Sequence, residues 1–441
     1  MLPYKLDNTN DLLTSRAGLL ATAQLLESLN MAERIDQQFP LPKSNRGFAP
    51  SIYIQSLLLM QHEGSFHLDD IRHLRDDEAL REVLDLKTLP SATALGDWLR
   101  RMGKVAKVDD AWVAVNQPVL QSTLYRCNKV TLDIDATEIV SNKTSADWTY
   151  NNNKGFMPMV GHIAQTGQIV AVDFRHGNVP PNKDNLAFIK QCQQSLPAGV
   201  RLDALRIDSA GYQVSIIQYC DEQVIDYAIR AKSSAAMREQ MAAMKESDWQ
   251  SLLNREGKAV EGEAVCRTSF CIGDYDKAFT LIIQRKAIQG QADLDFESED
   301  GGGDEVSING YIYRAIATNR DQLSDSEIVH WYNQRAESSE NRIKELKLDF
   351  GGDTLPCSDF KANALYFLIT ALSYNVFALM RALLPAPLSK HRMVTIRWRL
   401  YAMAAKVVKT GRQLFVKLKA QHRALLETVL LALKEFEPPP I

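Results

Sequence analysis

The rhythm of apolar and polar positions changes along these 441 residues, and the changes divide the chain. The first 125 residues read as short helices joined by polar turns. Ser51 is placed to cap a helix carrying Ile54, Leu57 and Leu58. Ser91 is placed to cap one carrying Leu95, Trp98, Leu99 and Met102, which Gly103 would close. From residue 128 short apolar runs bounded by turn residues take over. They predict strands at 130–135, 156–164, 168–175, 202–208 and 224–230, with helices at 183–195 and 212–220. Further strands are predicted at 263–272, 277–284 and 306–319, with Asn309-Gly310 as a hairpin turn and the acidic, glycine-rich Glu297 to Glu305 as a flexible tip. A helix is expected around 325–352. Beyond Leu383 the spacing of Ile396, Leu400, Met403, Val407, Leu414 and Leu418 predicts a helical tail.

These readings give five segments: a helical 1–125 suited to binding DNA, an α/β region 126–231, a β-rich insertion 232–324, a helix-bearing 325–352 and a helical, basic 353–441. Ala362 to Met380 carries no charge and is long enough to span a bilayer. Asn363, Thr370, Ser373, Tyr374 and Asn375 interrupt it, so a buried core helix is the expectation and no membrane partner is predicted.

Charge changes the picture. The net charge is −3, yet Phe360 to Leu426 contains no Asp or Glu and twelve Lys or Arg, leaving 39 basic against 54 acidic residues elsewhere. An acid-free tail on an otherwise acidic chain suits contact with a phosphate backbone, and Arg397, Arg399, Lys406 and Lys409 are its candidate DNA contacts. A solvated helix face is the competing reading. Six scattered cysteines without a paired spacing, and an N-terminus lacking the apolar core of a signal peptide, point to a reducing cytoplasm.

The chemistry concentrates at three places. Asp135 and Asp208 each end an apolar strand, and the predicted helix from His330 to Lys347 sets Glu340 among Tyr332, Arg335 and Lys347. Carboxylates are the ligands that hard cations require, and the basic neighbours suit a phosphate. Asp133 lies two positions from Asp135 on the same strand face. Asp203, Glu138 and Glu345 read as solvated or locally paired, and His62, His67 and His73 as surface histidines.

The set Tyr332, Arg335, Glu340 and Lys347 resembles the tyrosine-arginine-glutamate-lysine motif of DDE transposases from bacterial insertion sequences. Leu132 to Thr137 and Arg206 to Tyr212 resemble their two aspartate motifs. The similarity is greatest to the thirteen-eighty group of the insertion-sequence-four superfamily and extends over about residues 50 to 380. It implies a ribonuclease H-like core, whose order of three strands, a helix, then alternating strand and helix is the order predicted here, interrupted by a β-rich insertion. It also implies that Asp135, Asp208 and Glu340 hold Mg2+ or Mn2+, with Tyr332, Arg335 and Lys347 near DNA. The implied reaction cleaves double-stranded DNA at terminal inverted repeats and joins the freed 3′-hydroxyl to target DNA, by a dimer or larger assembly. A bacterial, nucleoid-associated location follows from the same resemblance.

One spacing departs from the pattern: four residues, not three, separate Arg335 from Glu340. The helix is therefore expected either to bulge at Ser338-Ser339 or to turn Arg335 away from the metal. Two other functions remain open. Asp133-Ile134-Asp135-Ala136-Thr137 also fits the opening of haloacid-dehalogenase-type phosphatases, with Asp133 as nucleophile and Gly273-Asp274-Tyr275-Asp276 as a poor acidic motif. A non-catalytic DNA-binding protein derived from a transposase would be marked by a missing carboxylate. The DDE reading predicts that the three carboxylates lie within about 4–8 Å of one another.

Overall fold

The computed structural model describes residues 4–43, 47–273, 275, 277–288 and 304–438, apart from the side chains of Ala336, Glu337, Ser338 and Glu340. Most of the predicted tip at Glu297 to Glu305 lies outside the described residues, as do Asp274 and Asp276. The chain forms two compact units. One comprises residues 127–138 and 148–342; the other gathers 1–126, 139–147 and 343–441.

The first unit carries the aspartates. Its strands are β1 (Lys129–Ala136), β2 (Met159–Ile163), β3 (Ile169–Asp173), β4 (Arg201–Ile207), β5 (Asp226–Arg230), β6 (Gln250–Leu253), β7 (Ala259–Phe270), β8 (Phe279–Ala287), β9 (Glu305–Ile308) and β10 (Tyr311–Thr318). They form one sheet in the order β6-β7-β8-β10-β5-β4-β1-β2-β3, with β9 also paired to β10. β1, β4 and β5 run parallel, while β2 and β3 are antiparallel to their neighbours. Parallel neighbours need crossovers, and helices α1 (Asn185–Gln194) and α2 (Val214–Gln223) supply them. Central strands are covered on both faces, so Asp133 on β1 and Arg206 on β4 are buried along with the apolar residues beside them.

The inserted strands are not a sheet of their own. β10 pairs with β5, Ile316 opposite Arg230, so the insertion lengthens the central sheet. Asn309 and Gly310 both take positive φ, 49° and 81°, as the two-residue hairpin turn between β9 and β10 requires. Helix α3 (Asp325–Lys344) follows, and Ile328, Val329 and Tyr332 on it pack against Ala228, Leu252, Val265, Ile282 and Ile316.

In the other unit the uncharged segment is a buried helix, Phe360–Leu383, with mean hydropathy 1.4. Three of its polar residues have protein partners. Asn363 bonds the backbone N and O of Cys357, Thr370 accepts from Gln61, and Asn375 donates to Asn116. A group that must be hydrogen-bonded when buried is satisfied here inside protein, which marks a core helix.

Three expectations need correction in this unit. Ser91 caps its helix, accepting from the N–H of Ala94, but Ser51 does not. Pro50 begins that helix, and Ser51 donates its N–H and hydroxyl to Asp36. The tail is not helical throughout either: Ala405–Thr410 and Gln413–Lys417 form an antiparallel hairpin, with Leu12–Thr14 on its other side. β-branched Val407, Val408 and Thr410 favour the extended chain, and Gly411 at φ +60° makes the turn. His62 is fully buried rather than on a surface, bonded to Thr22, Tyr401 and the Ser373 carbonyl.

Candidate active site

β1 and β4 are parallel neighbours with Ile134 opposite Ile207, so Asp135 and Asp208 leave the sheet side by side at the same ends of adjacent strands. Ligands in α/β sheets collect at such carboxyl ends. Arg335, on α3 and 8 % exposed, meets both: one guanidinium nitrogen lies 3.9 Å from Asp135 and another 3.8 Å from Asp208. Burial works against the Arg335 charge, but Asp135, Tyr332 and Asp208 outweigh it. Burial also raises the Asp208 carboxyl above its ordinary range, against the pull of Arg335 and of the Ala210 N–H it accepts from.

Asp133 has a different environment, although it shares the strand face. It is fully buried and held by Arg206 through two bonds of 2.7 and 2.8 Å, with His162 at 3.8 Å. Register explains the row: His162, Asp133 and Arg206 are cross-strand neighbours on β2, β1 and β4. A nucleophile needs access to its substrate, so the buried Asp133 does not suit the phosphatase reading.

Helix α3 is α-helical throughout Asp325–Lys344, and a five-residue π turn, Glu345–Asp349, follows it. Neither expectation about the four-residue spacing holds: Arg335 faces the aspartates, and the irregular turn comes after Glu340. Glu340 therefore stands about 140° round the helix from Arg335. Its side chain lies outside the described residues. Tyr332 is buried under the Arg230 guanidinium, 5.0 Å from its ring centre, and burial raises its hydroxyl pKa. Lys347 falls in the π turn, half-buried, in the other compact unit.

A family model for the transposase DDE domain, group 1, matches residues 4–438. The chain belongs to this family. Among solved structures, the transposase is similar to the cryo-EM structure of a piggyBac transposase synaptic complex with hairpin DNA, at 11% identity and a TM-score of 0.42. That match covers 97% of this chain and 84% of the other. No curated protein matches.

Among the described residues of the transposase, no group of three or more acidic, histidine or cysteine side chains is gathered. The two aspartates nonetheless fit a hard cation by their chemistry. Both present carboxylate oxygens to one positive group, and Asp208, disfavoured as an anion by burial, gains from any cation beside it.

The candidate DNA contacts of the tail divide. Arg397 turns inward, bonding the carbonyls of Gln61, His62 and Asp349 and lying over the Phe66 and Phe350 rings. Lys406 pairs with Asp11 and Lys409 with Glu82, while exposed Arg399 bonds His391. The tail lacks acids of its own, but acids from elsewhere in its unit meet it, Glu345 at Arg381 and Asp349 at Arg392 included. Glu345 is thus buried and paired. Arg206, His162 and Ser339 do not stand out in the sequence as site residues; the one signal for Arg206 is a charge inside an apolar strand.

Proposed function

We propose that Asp135, Asp208 and Glu340 hold Mg2+ or Mn2+ in a ribonuclease H-like core, and that the transposase cleaves the ends of its element and joins them to target DNA. The convergence of Asp135 and Asp208 on Arg335 carries this reading. The strand order around β1, with the two aspartates on its first and fourth strands, supports the core assignment. The ordered motifs support membership of the thirteen-eighty group, action on paired inverted repeats by a dimer or larger complex, and a bacterial cytoplasmic setting.

When bound, the metal would neutralise the scissile phosphate and lower the pKa of a water beside it. The chain's own residues bring the parts together. Asp135 and Asp208 offer oxygens from rigid strand ends, which fixes their spacing better than a loop could. Arg335 balances their charge without metal and, once a cation competes for the same oxygens, is free to meet the phosphate. Tyr332 and Arg230 hold the helix against the sheet.

The test is cleavage of a terminal-repeat duplex in Mg2+. Asp135→Asn and Asp208→Asn should each lower cleavage by at least about a thousandfold, roughly 4 kcal/mol of transition-state stabilisation, with binding to the duplex retained. Cleavage at near wild-type rate by either variant would reject the assignment.

A further inference from the structure

We propose that Trp148 and Tyr150 form a stacking surface for unpaired nucleotides at a DNA end, with Lys154 serving their phosphates; the surface's place beside the cut rests on the reading that DNA is cut at Asp135 and Asp208. Both rings are open to solvent, 64 % and 63 % exposed. The Lys154 ammonium lies over the Trp148 ring, 5.8 Å from its centre. A large apolar side chain exposed singly needs no partner. Two aromatic rings two residues apart, with a cation over one of them, suit a ligand that has flat faces and negative charge.

The rings are braced. Thr149 and Asn153 close a tight hairpin: the Thr149 N–H donates to the Asn153 carbonyl at 2.8 Å and the Asn152 N–H to the Thr149 carbonyl at 3.1 Å. Asn152 takes φ 59°, a conformation that asparagine tolerates better than most side chains. Glu138 holds the hairpin, its carboxylate accepting from the Thr149 hydroxyl and from the side-chain amides of Asn151 and Asn153, the last two at 3.2 and 3.3 Å. With Thr149, Asn151 and Asn153 turned to Glu138, the two aromatic side chains are left facing solvent. Three bonds to one carboxylate order the hairpin in advance, so a ligand does not have to supply that ordering.

Glu138 also ties the surface to the end of the sheet where the aspartates lie. It follows Asp135 along the chain, three residues on and just beyond the carboxyl end of β1, so at most about 11 Å of backbone separates the two. Inside a duplex each base already stacks on its neighbours, and an aromatic side chain gains contact only where that stack ends or the bases are unpaired. Every base has a π-face, so such a surface accepts any sequence, while a lysine beside it meets the backbone charge.

The test uses full-length protein at one salt concentration, without metal, and three probes: a blunt terminal-repeat duplex, the same duplex with a short run of unpaired thymidines at one end, and the thymidine strand alone. Trp148→Ala and Tyr150→Ala should each weaken binding to the tailed duplex and to the single strand by about tenfold, as expected for losing one stacked base, and leave the blunt duplex within about twofold of wild type. Trp148→Phe keeps an aromatic face and should recover most of the tailed-duplex affinity, which Trp148→Leu should not. Thermal unfolding of the variants should match wild type, because both rings are exposed. Equal losses on the blunt and tailed duplexes, or no loss on any probe, would overturn the proposal. A change in the sedimentation of free protein by Trp148→Ala, with tail binding unchanged, would make the patch a contact between copies and overturn it equally. Because these measurements involve neither metal nor cleavage, their failure is distinct from that of the metal site, which cleavage by Asp135→Asn and Asp208→Asn decides.

Discussion

Asp133 and Asp135 differ by two residues and by everything around them. Removing one partner of a buried ion pair leaves an uncompensated charge, so Asp133→Asn, which orphans Arg206, should cost roughly 3–5 kcal/mol in denaturant unfolding. Asp135→Asn, at a partly exposed strand end, should cost less than about 1 kcal/mol while removing cleavage. Equal losses of stability would show that the two aspartates are not separated in this way. The sequence showed both residues and their common face; it did not show which was paired, because the partner, Arg206, lies seventy-three residues away. His62 gives a second residue-scale expectation. Burial pushes its pKa down to about 3, from an ordinary value near 6.5. Its folded pKa is depressed, so the neutral network contributes stability above about pH 6.5 and loses it as the pH falls toward 3. Unfolding free energy should decline over that interval, and His62→Gln should remove close to one proton from the slope. An unchanged slope would contradict the buried, neutral assignment.

Strands and helices of the first unit were legible because each aspartate motif sits on a plain apolar run, and the two-residue turn at Asn309-Gly310 announces its hairpin. The tail was not. Ile396, Leu400, Met403 and Val407 keep a helical spacing, but tertiary pairing with Leu12–Thr14 draws Ala405–Thr410 into a strand. The same hairpin changes which tail residues are the candidate DNA contacts. Arg412, Lys417 and Lys419 are exposed on or beside it, whereas Arg397 is held by carbonyls. Changing those three to Gln should lower the salt dependence of duplex binding by nearly one unit of log–log slope for each phosphate that is no longer neutralised. Arg397→Gln should instead lower the melting temperature and leave the slope unchanged. Were the Arg397 variant to flatten the slope and the triple variant not, the division of the tail would be reversed.

Across the whole molecule, the N-terminal helices and the C-terminal region fold as one unit, although more than two hundred residues separate them in the chain. Hydrophobic pattern reports faces, not partners, so the sequence suggested two separate helical segments. The Phe360–Leu383 helix is buried against helices from the first 125 residues, with Trp112 donating to its Leu368 carbonyl and Gln61 to its Thr370. A fragment of residues 1–126 should therefore lack a cooperative thermal transition; a sharp one would show an autonomous domain.

Three carboxylates distant in sequence are proposed to share a divalent cation, and Glu340 is the member placed by motif order alone. Anomalous diffraction from crystals of the full-length protein grown in Mn2+ tests it most directly. A manganese peak is expected with oxygens of Asp135, Asp208 and Glu340 each at about 2.0–2.3 Å. A manganese bound without Glu340, or none at Asp135 and Asp208, would contradict it.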